Sequence, residues 1–166
     1  MLTRISGTFV RIAFAQDADI TLQRGHPARP AARFNRKGQD ALYLSPDETS
    51  ARVAIGQYVT PDDPPRVLLT FEVGRCALFD LRDPRSAELY AKARKPWQDA
   101  LAAGTEPASW EVADHLRASG HVGLIDPSRR RPGLWHITLF RWNGPGAPDV
   151  RLIDPPRPID VETGFR

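Results

Sequence analysis

The residues from Arg33 to Tyr58, RFNRKGQDALYLSPDETSARVAIGQY, gather more chemistry than any other stretch of the chain. Arg33, Asn35, Arg36 and Lys37 precede Gly38, so several hydrogen-bond donors, three of them cationic, stand beside a residue whose backbone can turn sharply and approach a ligand closely. Ala41 to Leu44 reads as a brief buried strand that carries Tyr43. Ser45-Pro46-Asp47-Glu48 then reads as a helix start in which Ser45 caps and Glu48 reaches back to the Ser45 amide. Ala51, Ala54, Ile55 and Tyr58 recur at helical spacing and supply that helix with a buried face. Guanidinium groups grip phosphates and carboxylates bidentately, and a nearby carboxylate can hold positive charge that develops on a substrate. The stretch therefore brings anion-binding donors, an aromatic hydroxyl and an acid to the end of one strand.

Other elements must deliver the remaining candidates. Thr8 to Phe14 reads as an opening strand with Arg11 in its middle, where a charge needs a partner or a cleft. Ala15 to Ala32 lacks periodicity and carries Gly25, Pro27 and Pro30, as expected of a long surface loop framing a site. Val67 to Val73 and Ala77 to Leu81 read as two strands. Asp83-Pro84 opens a helical pattern that lasts to Pro96, and shorter helices are expected from Trp97 to Ala103 and from Ser109 to Ser119, with Gly104 and Gly120 as stops. His121 to Ile125 and Leu134 to Trp142 read as strands joined by the loop that holds Ser128 and Arg129 to Arg131. A last strand spans Val150 to Ile153, and residues 154–166 form a proline-rich tail with no element assigned. Strands without regular βαβ alternation predict an α+β domain with mainly antiparallel pairing.

Composition narrows the classes. At 166 residues and 41% hydrophobic content the chain fits one domain spanning 1–166 with a single core. No run approaches the ~18 apolar residues of a membrane span, and no secretory pattern opens the sequence, so a soluble, cytoplasmic protein is expected. Cys76 is the only cysteine, which excludes an internal disulfide and a cysteine-based zinc cluster; its apolar neighbours suit a packed thiol. The four histidines show no metal spacing, and no metal is expected. A net charge of +3 favours anionic partners only weakly, because the arginines are interleaved with acids. GxxxxGK[ST], GxGxxG and HExxH patterns are all absent.

Taken together, Arg11 in the first strand, Arg33-Phe34-Asn35 before a glycine, the ALYLS strand, and GLIDPSR followed by LWHITLFRW resemble the RES domain family. The resemblance covers roughly residues 8–142. It implies an ADP-ribosyltransferase-like fold with a split sheet and flanking helices, and a toxin of a type II toxin–antitoxin module that takes NAD as substrate. Relatives either destroy free NAD by hydrolysis or phosphorolysis or transfer ADP-ribose to a protein. The cognate antitoxin is implied to be a repressor-like protein that covers the cleft, so contact with nucleic acid would be indirect. Carried over by position, Arg11, Arg33, Tyr43 and Ser128 bind NAD, with Arg33 and Ser128 also acting in catalysis. The family's glutamate falls in the helix, where this chain has Val53, Ala54 and Ile55. Glu48 is the nearest carboxylate and becomes the expected catalytic acid.

Each of these residues has a plainer reading. Glu48 can be a capping residue, Tyr43 a core aromatic, Arg11 half of a structural salt bridge and Ser128 a turn serine. His136, flanked by Trp135 and Ile137, fits a satisfied core position. The competing function is a basic nucleic-acid-binding module or ribonuclease, using scattered arginines with Trp97 and Trp110 as exposed stacking surfaces.

Overall fold

Two long strands organise the computed structural model, which describes all residues from Met1 to Arg166. β1 (Leu2–Phe14) and β3 (Arg66–Asp80) pair antiparallel from Leu2 against Phe79 to Phe14 against Arg66, with one irregularity between Ile5 and Gly7. The two strands expected between Val67 and Leu81 are one. Gly74, which reads as a break, has its amide satisfied by Asp149 O at 2.8 Å, and pairing with β1 resumes on its far side.

β4 (Gly123–Pro127) joins the end of β3 in parallel, with Phe79 against Leu124. β5 (Trp135–Leu139) pairs antiparallel with β4, and β2 (Leu42–Leu44) with β5, giving the order β1-β3-β4-β5-β2. β6 (Val150–Leu152) and β7 (Arg157–Ile159) pair antiparallel with the other half of β3. β7 lies in the tail to which the sequence assigns no element; it is an edge strand, the position in a sheet that tolerates Pro158. Four helices complete an α+β architecture: α1 (Glu48–Gly56), α2 (Ala87–Ala93), α3 (Trp97–Ala102) and α4 (Ala108–Ala118). None is long and apolar enough to cross a membrane.

Strand alternation fixes which side chains face the site. Leu42, Leu44, Leu69, Phe71, Ile125, Ile137 and Leu139 pack with Trp142 into the larger core on one face of the sheet. On the other face Phe79, Leu124 and Phe140 meet Val112, Ala113 and Leu116 of α4, while Val10, Ile12 and Leu68 meet Ala51 of α1. The alternate residues of the middle strands, Tyr43, Asp126, His136 and Thr138, are left for a different use. Tyr43 stands opposite Thr138, and Asp126 opposite His136. Cys76 packs against the larger core, and burial raises its thiol pKa to about 11, as a structural cysteine requires.

The helix start after β2 differs from the expected capping box. Asp47 is the cap, accepting from the Ser50 amide at 2.8 Å, and Glu48 is the first helical residue. Ser45 cannot cap because its backbone exchanges two 2.8 Å hydrogen bonds with Val10 and stays extended. Tyr58 lies past the end of the helix and is 38% exposed instead of forming its buried face.

Candidate active site

A cavity of about 550 Å³ opens between α1, the loop that carries Arg33, the α2–α3 connection and the loop after β4. Its volume falls in the range of small-molecule sites. Tyr43, Thr138, His136 and Asp126 line it from the sheet, and Ala51, Ala54 and Ile55 from α1. Tyr58 and Trp97 belong to the lining as well, and the Trp97 Nε1–H donates to the Tyr58 hydroxyl at 3.4 Å. Five arginines line the cavity, Arg11, Arg33, Arg94, Arg129 and Arg130, against a single carboxylate, Asp126.

Arg33 is held by the backbone. Its Nη1 donates to Ala93 O and Lys95 O, both at 3.0 Å, which fixes the guanidinium without neutralising it. Burial, with repulsion from Arg129 added, lowers its pKa to about 10. The loop beneath it is pinned from α4, where Ser109 donates to Arg33 O and Trp110 Nε1 donates to Ala32 O. Tyr43 holds the same loop from the other side: its hydroxyl donates to Asn35 Oδ1 at 2.6 Å and accepts from the Phe34 amide at 3.0 Å. Burial pushes the Tyr43 pKa up, so the phenol stays protonated.

Arg11 also lacks a carboxylate partner. Its Nη1 donates to Tyr43 O at 3.2 Å, and burial lowers its pKa. The structural salt bridge offered as its plainer reading does not form. Arg36 behaves oppositely, turning away to a bidentate pair with Asp114 at 2.8 and 2.9 Å. The cationic cluster of the sequence is therefore split, with Arg33 in the cavity and Arg36 spent on α4.

Asp126 is 4% exposed and pairs through Oδ2 with Arg129 Nη1 at 3.0 Å; its Oδ1 is buried with no hydrogen-bond donor. Across the ladder His136 lines the cavity, and its Nδ1 lies 2.9 Å from the Ser45 hydroxyl. Burial lowers the His136 pKa, favouring the neutral ring. Ser128 lies in the lining as well, and its Oγ accepts from the Arg131 amide at 3.1 Å.

Arg11, Arg33, Tyr43 and Ser128 are thus brought to one cavity, as the sequence suggests. Glu48 is not. It faces outward from the first turn of α1, paired with Arg52 at 3.1 Å and with Arg157 from β7. Asp126 is the site residue that the sequence does not single out, while His136, expected as a core residue, and Ser45, expected as a helix cap, lie in the cavity lining instead. The signal for Asp126 was present, an acid inside the otherwise apolar strand GLIDP, where a charge has to be paired or used. Trp110, expected as an exposed stacking surface, is 8% exposed and occupied with Ala32. No group of three or more histidine, cysteine or acidic side chains is arranged to hold a metal ion.

A mixed sheet with a cavity against one face, lined by five arginines and one carboxylate, has the chemistry that suits an anionic small molecule. The chain belongs to the RES domain family, whose match runs over residues 8–162, beyond Trp142 and into the tail. No curated protein matches the sequence. Among solved structures, a chain of the Mycobacterium tuberculosis MbcT–MbcA toxin–antitoxin complex superimposes with a TM-score of 0.63 at 18% identity, covering 95% of this chain and 86% of that one. At that identity the likeness is one of fold: the same α+β arrangement around a mixed sheet.

Proposed function

We propose that this chain is the toxin of a type II toxin–antitoxin module and cleaves NAD at the bond between nicotinamide and ribose. The observation that carries the reading is the pair of cavity arginines, Arg11 and Arg33, held by backbone carbonyls and without any carboxylate counterion. Outside the cavity Arg36, Arg52, Arg66, Arg82, Arg85 and Arg157 pair with carboxylates, while Arg29 and Arg117 rest on carbonyl oxygens away from the cavity lining. Buried cations left unpaired fit a ligand that brings its own negative charge, and a pyrophosphate does so. Membership of the RES domain family and the fold shared with a chain of a toxin–antitoxin complex support the same conclusion.

In the reaction, the bond from C1′ to the pyridinium nitrogen breaks, and its electron pair passes to that nitrogen and cancels the ring charge. C1′ becomes oxocarbenium-like and is captured by a nucleophile. With water a proton is released and free ADP-ribose forms; with phosphate the product is ADP-ribose 1″-phosphate; with a protein side chain the protein becomes mono-ADP-ribosylated. We favour transfer to a protein. Arg11 and Arg33 bind the pyrophosphate, Tyr43 keeps the Arg33 loop in position through Asn35 and Phe34, and Ser128 contacts the dinucleotide from the β4–β5 loop. NAD is the substrate, no metal takes part, and a cytoplasmic antitoxin closes the cleft.

Arg33→Ala is expected to leave the fold intact and to lower kcat/KM for nicotinamide release by about 10- to 100-fold, the loss of one charge-assisted contact. Chromatographic measurement of released nicotinamide checks this, and unaltered turnover removes Arg33 from the site. Mass spectrometry of the products with and without cell extract separates transfer from hydrolysis and phosphorolysis. The ribonuclease reading has lost a support with the burial of Trp110.

A further inference from the structure

Bond cleavage at C1′ needs negative charge near the developing cation, and a cavity lined by five arginines works against that requirement. Asp126 is the lone acid in the lining. It stands on a strand rather than a loop, fixed opposite His136 in the β4–β5 ladder, so its position is set by the sheet. Only half of its hydrogen-bonding capacity is used: Oδ2 holds Arg129 at 3.0 Å, while Oδ1 is buried and lacks a donor. Leaving a buried carboxylate oxygen unsatisfied is costly, and such an oxygen beside a cavity is explained when a ligand brings the donor. A ribose presents two neighbouring hydroxyls suited to that role.

We infer that Asp126 is the catalytic carboxylate of this site, accepting a hydrogen bond from a hydroxyl of the nicotinamide ribose on Oδ1 and stabilising the positive charge at C1′ as the bond to nicotinamide breaks. The assignment rests on the NAD-cleaving reading. Arg129 is its positioning partner, holding Oδ2 at 3.0 Å and leaving Oδ1 without a donor of its own. The wall of α1 that faces the same cavity offers only Ala51, Ala54 and Ile55, so no carboxylate from the helix competes for the role.

The test compares Asp126→Asn, Asp126→Glu and Arg129→Ala in the full chain, by nicotinamide release and by calorimetric binding of NAD. Asparagine keeps the size and one acceptor of the side chain but removes its charge. Asp126→Asn is expected to bind NAD within about threefold of the unsubstituted chain and to lose about 100-fold or more in kcat. Asp126→Glu, which keeps the charge, is expected to retain about a tenth of the turnover or more, and it decides the matter if the asparagine variant does not fold. Unaltered kcat in Asp126→Asn overturns the assignment, as does an inactive but folded Asp126→Glu. A loss of NAD affinity in Asp126→Asn equal to that of Arg129→Ala, with kcat preserved, also overturns it and leaves Asp126 as a prop for Arg129. Absence of nicotinamide release by the unsubstituted chain overturns the NAD reading and this assignment together, whereas the other results leave the NAD reading standing.

Discussion

Arg33 and Arg36 stand in one short loop and end in opposite surroundings. Arg36 meets Asp114 on α4 and Glu106 just ahead of that helix, while Arg33 meets only carbonyl oxygens and keeps its charge for a ligand. Glu48 makes the complementary case among the acids. Its two arginine partners hold its carboxyl below the usual range, and both pairs are partly exposed, so they contribute little to stability. Glu48→Gln is therefore expected to keep nicotinamide release within about twofold and to cost at most about 1 kcal/mol in urea unfolding. A hundredfold loss of turnover would return Glu48 to the reaction and take that role from Asp126.

At the level of elements, the close approach of β4 to β5 holds together the ladder that carries Asp126, His136 and Thr138. Gly123 has no Cβ, and one built there would overlap Thr138 O and lie 3.1 Å from Leu139 Cα, both in the backbone of β5. Gly123→Ala should therefore spread the pair on which Asp126, His136 and Thr138 sit, at a cost of about 3 kcal/mol. Equilibrium unfolding in urea measures it, and a shift below about 1 kcal/mol would mean that the strands are free to part. Most elements were legible in the sequence because alternation and punctuation are local: ALYL and α4 with its Gly120 stop fall where their patterns lie, and the opening strand ends at Phe14 as expected but begins at Leu2 instead of Thr8. The joining of Val67–Val73 to Ala77–Leu81 was not legible, since the partner that bridges Gly74 is Asp149, far along the chain. The cap on α1 was missed for the same reason. Nothing local to Ser45 reveals that its backbone is committed to Val10.

For the whole molecule, pH acts on the site and on stability through His136. Burial depresses its folded pKa below the unfolded value near 6.5. The unfolded chain then binds more protons on acidification, so this contribution is fully present above about pH 6.5 and is lost as pH falls through the folded pKa. His121, also lowered by burial, acts in the same direction. The Asp63 and Asp83 carboxyls, lowered to about 2 by their hydrogen bonds with the Thr60 and Arg85 segments respectively, add their losses only at pH values well below that window. The thermal midpoint is expected to fall between pH 7.5 and 5.5, and less so in His136→Asn, which retains a polar group for Ser45. An equal fall in both proteins would assign the dependence to other groups.

The sequence by itself determined the α+β class, the strand that carries Tyr43, the arginines able to bind an anion and the family resemblance, because residue type and short-range periodicity encode these directly. Which charges remain free was decided only by the tertiary structure. Arg36 and Glu48 are neutralised by partners on α4 and β7, and Asp126 is placed in the cavity lining by its register against His136. Pairing energies between charges depend on distance and burial, and for residues so far apart along the chain neither exists until the sheet has closed.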